Sequence, residues 1–263
     1  YGTIERGTWN AKVYNYNSER GIPGAIVNNV WRRGERVWDT NSFFQGSFVK
    51  EVNDQFKTQV NAKYAFYRTH YVNNDDKLIE VDNLYKQREV YVSTANMYTI
   101  FPFWDVSMSY DFQWNEMKAD MYGFVFPTRF TNLLSIATAL RLGKVKLQGS
   151  GLATFVNDRV KEGPAPKARQ ILTPAVFLSY KLFDKHDFSL RAFYKKTFRM
   201  PTFNDLYYAD MGNSKLDPEY VTQYNLGTVY QKQWGNKLFR HFKIQADGYY
   251  NYVKDKIIAY PKG

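Results

Sequence analysis

The chain has 263 residues, no Cys, a net charge of +11 and 22 Tyr, 20 Phe and 6 Trp. Without Cys there is no disulfide scaffold and no thiolate metal site. Mean hydropathy is −0.54, and no apolar run approaches the ~18 residues of a membrane-spanning helix. The aromatic content argues against disorder. The opening YGTIERGTWN has neither the basic start nor the apolar run of a secretory signal. Three classes remain: a β-rich globular protein, a basic nucleic-acid binder, or a β-barrel that meets lipid.

In chain order, weak period-two alternation predicts a first strand over 9–16, and a long link over 17–41 follows. A strand over 42–53 turns at Asn53-Asp54. The strand from 56 is clear: Phe56, Thr58, Val60, Ala62, Tyr64 and Phe66 alternate with Lys57, Gln59, Asn61, Lys63 and Ala65. A link over 72–84 leads to a strand over 85–99 and a turn at Phe101-Pro102. The strongest pattern follows: Trp104, Val106, Met108, Tyr110, Phe112 and Trp114 oppose Asp105, Ser107, Ser109, Asp111 and Gln113. A helix would scatter that set around its circumference. The link 115–129, a strand over 130–142 and a turn at Gly143 come next, then a strand over 145–155 and a link over 157–169. Pro174 weakens the strand over 170–182, because proline donates no ladder hydrogen bond. After a turn at Asp184-Lys185-His186, a strand begins at Phe188; the link 199–218, a strand over 219–233, a turn at Gly235-Asn236 and a strand over 242–252 complete the chain.

This is an all-β reading: an antiparallel up-and-down meander of roughly eleven strands with no helix required. Several strands exceed the ~5–6 residues usual in globular proteins and match the ~9–11 of a tilted membrane strand. Short turns and long links alternate, which puts turns on one rim and loops on the other, as in a transmembrane barrel. The apolar rows then face hydrocarbon and the Lys, Gln, Ser, Asn and Arg rows face the lumen. Aromatics near strand ends, among them Trp9, Tyr14, Tyr16, Phe101, Phe103, Trp104, Trp114, Phe183, Phe188, Trp234 and Phe239, fit interfacial girdles. The competing reading is a soluble or surface β-protein that binds glycans through these rings. Catalysis has no support, since no nucleophile–base or metallohydrolase motif is present. Dispersed Lys and Arg give no nucleic-acid footprint.

Residues 198–230 carry Phe198, Arg199, Pro201, Leu206 and Tyr207, then Gly212, Asn213, Leu216, Pro218 and Glu219, then Leu226 and Gly227. Ala246, Tyr249, Asn251, Asp255 and Ile257 follow. This succession resembles the C-terminal half of TonB-dependent outer-membrane receptors. The segments 7–44 and 111–140 are similar to a vitamin B12 receptor-like branch of that family. The resemblance implies that 1–263 is a partial barrel domain, about half of a transmembrane β-barrel, without the plug domain. It implies an outer-membrane location in a Gram-negative bacterium, import of a corrinoid or iron-siderophore, and TonB as partner through the missing plug. Outer-membrane lipid and lipopolysaccharide are further expected partners. Two open sheet edges imply edge-to-edge self-association.

Candidate site residues fall in the long links. Trp31, Arg32, Arg33, Arg36 and Trp38 could stack on and pair with an anionic ring system, or anchor the rim to lipopolysaccharide. Asn204, Asp205, Tyr207 and Tyr208 could hydrogen-bond a polar solute. No cofactor is expected beyond a calcium ion on Asp75, Asp76, Glu80 and Asp82, whose oxygens suit a hard cation although the spacing is not an EF-hand. Motif residues such as Pro201, Asn213 and Pro218 read as folding residues first.

Overall fold

A computed structural model describes residues 2–4, 7–22, 26–27, 30–31, 35–73, 80–163, 165–183, 187–207, 212–233 and 241–258, with backbone alone at 2–4, 26–27 and 30–31. The chain forms β1 (Gly2–Ile4), β2 (Gly7–Gly21), a small hairpin of β3 (Ile26–Val27) and β4 (Val30–Trp31), β5 (Glu35–Glu51), β6 (Phe56–Asn73) and β7 (Val81–Phe101). It continues through β8 (Trp104–Ala119), β9 (Thr128–Leu142), β10 (Val145–Arg159), β11 (Arg169–Lys181) and β12 (Asp187–Arg199). A short helix α1 (Phe203–Tyr207) precedes β13 (Glu219–Gln233) and β14 (His241–Lys254). Twelve strands make one sheet in chain order, β1-β2-β5 through β14, every neighbouring pair antiparallel. Eleven are long and β1 has only 3 residues. The expected meander is the observed one.

The register sorts the sequence onto two faces. One continuous row runs Phe56, Tyr98, Val106, Thr138, Gly149, Val176, Tyr194, Tyr224 and Tyr250. Directly opposed residues share a face, so Val106, Met108, Phe112, Leu147 and Ile244 all lie on this outer face. It is not sealed by a second layer: Met108, Ile136, Leu226 and Ile244 are 52, 56, 65 and 57% exposed. Every buried non-glycine strand residue, from Val37 and Ala65 to Thr154, Asp158 and Val229, lies on the opposite, inner face. From Phe56 to Phe66 and from Trp104 to Trp114 the rise of ~3.3 Å per residue, at a tilt of ~40°, covers about 25 Å, the height of a membrane barrel's apolar band.

The strands run further than alternation alone indicated. The link expected over 17–41 contracts to 22–34, and that over 72–84 to 74–80. Beyond the apolar band both faces carry polar residues, so period two fades although the ladder continues. Trp9 and Trp114 take the outer face as girdle residues should, whereas Tyr14 pairs in register with Phe43 on the inner face, stacked at 5.0 Å. Trp234 and Phe239 lie outside the described residues. Helix α1 was not expected. It exists because the Thr202 Oγ1 accepts from the Asp205 N–H at 3.1 Å while the Asp205 carboxylate accepts from the Thr202 N–H at 2.8 Å, a reciprocal cap that satisfies two otherwise orphaned donors.

The two-residue turn between β9 and β10 sets Gly143 at φ +56°, the left-handed conformation such hairpin turns favour. Gly227 has a different task. It lies between Arg191 on β12 and Asp247 on β14, whose side chains meet across it at 3.3 Å. A Cβ at Gly227 would stand 2.0 Å from the Asp247 Oδ1. The Leu-Gly of the motif thus sends Leu226 to the outer face and clears the inner face for an ion pair spanning three strands. Gly227→Ala is expected to push Asp247 aside and cost about 0.5–1 kcal/mol by urea unfolding of the intact chain. In an Asp247→Ala background the same change should be neutral or mildly stabilising, because glycine is a poor strand residue; equal losses in both backgrounds would refute the spacer role.

Candidate functional site

The inner face at the long-loop rim holds a cavity of about 720 Å³. Inner-face positions of five adjacent strands build its wall: Arg20 on β2, Val37 and Asp39 on β5, Tyr67 and Tyr71 on β6, Asn83, Tyr85 and Gln87 on β7, and Met117 on β8. Asn204 and Leu216 from the 200–218 segment and Ile257 and Ile258 beyond β14 cover it from the far side. Side chains from both ends of the sheet therefore meet around one space, and the sheet is curled.

Residues 200–207 and 212–218 are clamped into this position. Arg129 at the start of β9 donates to both oxygens of Asp158 on β10, each at 2.7 Å, and to the Pro201 carbonyl at 2.7 Å. The Arg129 and Asp158 side chains are only 10% and 4% exposed. The guanidinium also lies 5.1 Å from the centre of the Phe203 ring, a cation–π contact. Phe203 and Leu206 are buried, and Phe203 joins Tyr85, Met117, Ala119 and Phe124 in a core cluster that Met121, Phe126 and Tyr207 flank. Arg199 holds Asp205 at 2.9 Å. The Asn213 N–H donates to the Asp205 carbonyl at 2.9 Å, and its side-chain oxygen accepts from the Lys215 N–H at 3.0 Å, an Asx turn. Pro201 and Pro218 are fully buried, and the Glu219 carboxylate accepts from the Ile257 N–H at 3.0 Å. The motif residues act on the fold of the rim, as their chemistry suggested.

Asn204 is exposed to the cavity. Asp205 also lines it, but its carboxylate is committed to Arg199 and the helix cap. Tyr207 sits against the core cluster with its hydroxyl buried and unpartnered. Burial pushes its phenol above the ordinary range, and the Asp158 charge adds to that rise while Arg129 opposes it. Tyr207 is thus neutral at physiological pH. Tyr208 lies outside the described residues.

The Arg and Trp set does not join this group. Arg36 and Trp38 lie on β5, not in a loop, and their register with Val72 and His70 places them on the outer face. Arg36 pairs with Glu19 at 3.3 Å, and the Trp38 ring lies 5.3 Å from His70. Trp31 belongs to β4, with no side chain described, and Arg32 and Arg33 lie outside the described residues. Of the acidic set, Asp75 and Asp76 lie outside the described residues, Glu80 precedes β7, and Asp82 contacts His70 at 2.6 Å. Among the described residues no three His, Asp or Glu side chains gather as metal ligands. The cavity residues missed by sequence reading are Tyr67, Tyr71, Asn83 and Gln87. Their signal was inner-face parity: that of β6 carried past residue 66 gives Tyr67 and Tyr71, and that of the strand expected over 85–99 contains Gln87 and, extended back two residues, gives Asn83.

Cavity chemistry is phenolic, amidic and aliphatic, with the carboxylates of Glu35, Asp39 and Asp205 beside these groups. Its one arginine, Arg20, is bound to Asp39 at 2.6 Å, so the lining offers no uncommitted cation among the described residues.

The fold is shared with solved transporters. The chain overlays the copper transporter OprC with a TM-score of 0.70 at 17% identity, over 95% of this chain and 43% of that one. It overlays the FrpB iron transporter from Neisseria meningitidis with a TM-score of 0.70 at 11% identity, over 97% and 43%. The ferric citrate transporter FecA gives 0.63 at 14% identity, over 95% and 45%. The chain spans less than half the length of each of these structures. No curated protein sequence matches it. The profile described as "TonB dependent receptor-like, beta-barrel" matches residues 1–263. A curled meander with its apolar row outward and a loop-capped cavity inward, matched over its whole length by that profile, belongs to the TonB-dependent receptor β-barrel family, whose members are outer-membrane receptors and transporters of Gram-negative bacteria.

Proposed function

We propose that the protein carrying this chain resides in the outer membrane and imports a scarce nutrient with energy delivered by TonB through a plug domain. The inner-face cavity at the long-loop rim receives that nutrient. The observation that carries this reading is the cavity itself: its volume of about 720 Å³ falls in the range of small-molecule sites, and Asn204, Leu216, Ile257 and Ile258 cover it. A corrinoid is the first choice of cargo and an iron-siderophore the second. Amides and phenols at Asn83, Gln87, Asn204, Tyr67 and Tyr71 match a ligand rimmed with neutral amides. An anionic ferric chelate would call for free cations, and Arg20 is already paired.

The test is uptake of labelled cobalamin in cells with and without the intact gene, alongside a labelled ferric siderophore. Loss of cobalamin uptake on deletion is expected. In the same assay Tyr67→Ala with Asn83→Ala should weaken half-saturation by about tenfold, the loss of roughly 1.4 kcal/mol in hydrogen bonding. Unchanged cobalamin uptake with lost siderophore uptake would transfer the cargo to the second class, and no change in either would remove the nutrient reading.

A further inference from the structure

We infer that Glu35 sets the charge selectivity of the inner-face cavity, admitting a neutral or cationic solute and refusing an anionic one. The inference rests on the reading of that cavity as a nutrient site but not on which nutrient fills it. Glu35, Asp39 and Asp205 bring carboxylates to the lining, and Arg20 brings its one guanidinium. Two of the carboxylates are committed. Asp39 accepts from Arg20 at 2.6 Å, and the Thr69 hydroxyl donates to its other oxygen at 2.7 Å. Asp205 accepts from Arg199 at 2.9 Å and from the Thr202 N–H at 2.8 Å. Glu35 differs. Its backbone carbonyl accepts from the Ile22 N–H at 3.1 Å, but among the described residues its carboxylate has no partner.

Position gives this carboxylate its leverage. Glu35 opens β5 opposite Asn73 at the end of β6, and it is half-buried. Along the inner face of β5 the order from the loop rim is Glu35, Val37, Asp39. A solute entering from that rim therefore meets Glu35 before the Arg20–Asp39 pair. The inner-face lysines Lys146 and Lys243 lie at the ends of β10 and β14 nearest the short turns. So although the chain carries +11, the unbalanced charge of the cavity is negative.

An anionic solute seated here would bring like charges together where a bound ligand has displaced water, and repulsion is strongest in such a place. It would also leave Glu35 desolvated and facing no donor. A primary amide or an ammonium group on the solute instead donates to that carboxylate, a charge-assisted hydrogen bond. Selectivity is the difference between the bond gained by one solute and the repulsion imposed on the other. Arg20 cannot reverse the sign, because Asp39 already holds it.

The whole protein carrying this chain, purified in neutral detergent, is titrated with two charge series by calorimetry. One is cobalamin, its monocarboxylates and the aminoethyl amides made from them, which are neutral, anionic and cationic on a single scaffold. The other is a neutral ferric tris-hydroxamate and an anionic ferric tris-catecholate. In whichever series binds, the anionic member should bind about tenfold or more weakly than the neutral one. Glu35→Gln keeps the size of the side chain and removes its charge. It should cut that ratio to about threefold or less, with the neutral member little changed, and Glu35→Lys should invert it. Asp39→Asn, which frees Arg20, should likewise favour the anion, while Glu116→Gln on the outer face should not. A parent indifferent to charge, or a preference that Glu35→Gln leaves intact, would overturn the role of Glu35. Failure of every probe to bind would instead remove the nutrient reading beneath it.

Discussion

Arg129→Ala should cost about 3–5 kcal/mol and free the 200–218 segment from the inner face. The guanidinium serves three partners from a nearly dry position: the Asp158 carboxylate, the Pro201 carbonyl and the Phe203 ring. Removing it leaves Asp158 as a buried charge 4% exposed, and uncompensated buried charges of this kind cost that amount. The loss should appear in urea unfolding of the intact chain in lipid and, more specifically, in proteolysis. Arg199 adjoins the segment and Lys215 lies within it, and trypsin should cut there at least tenfold faster in the variant, since cleavage follows the open population. Asp158→Ala should behave alike, because the orphan is then Arg129. Arg129→Met with Asp158→Leu should recover much of the global stability, as apolar replacements of a buried pair often do, yet stay sensitive to trypsin because Pro201 has lost its donor. Single variants with parental protease resistance would show that the segment is held by its apolar contacts alone.

The same ion pair shows what sequence can and cannot give. A turn at Gly143 was legible from glycine between two alternating runs. That turn fixes the hairpin register, and residues thirteen positions out on either side, Arg129 and Asp158, are then necessarily opposed. The pair stayed hidden because 115–129 and 157–169 read as links. There the strands leave the apolar band, both faces become polar, and period two vanishes although the backbone ladder persists. Arg36, Trp38, Tyr71 and Asn83 were misplaced or missed for this reason. Inside the band, where lipid and lumen impose opposite demands on alternate residues, the faces of β6, β8 and β10 were readable residue by residue. Helix α1 was readable in principle from Thr202 and Asp205 at capping-box spacing, but a single turn carries too little periodicity to stand out. The curl that gathers Arg20, Asn204 and Ile257 around one cavity has no local signature at all.

Ile136→Arg should cost about 2–4 kcal/mol when the intact chain is folded into lipid bilayers, the value for a cation at the midplane of a barrel's lipid face. Ile136 is opposed to Met108 and Gly151, close to the middle of the apolar band, and is 56% exposed. In a water-soluble sheet a residue so exposed could become Arg within about 0.5 kcal/mol, so the cost comes from the solvent that meets this face. Ser135→Arg, one residue away, turns to the inner face and should lie within about 1 kcal/mol of the parent. Leu226→Arg on β13, 65% exposed, should repeat the large penalty four strands further along the sheet, because one hydrocarbon layer wraps the whole outer row. Urea titrations in bilayers of fixed composition decide the matter. A penalty at Ile136 and Leu226 no larger than at Ser135 would mean that both faces meet water, and the lumen assigned to the cavity would lose its frame. The penalty should shrink toward the rims, so that Phe66→Arg costs about 1 kcal/mol or less; a position-independent loss would indicate disrupted packing instead of depth in hydrocarbon.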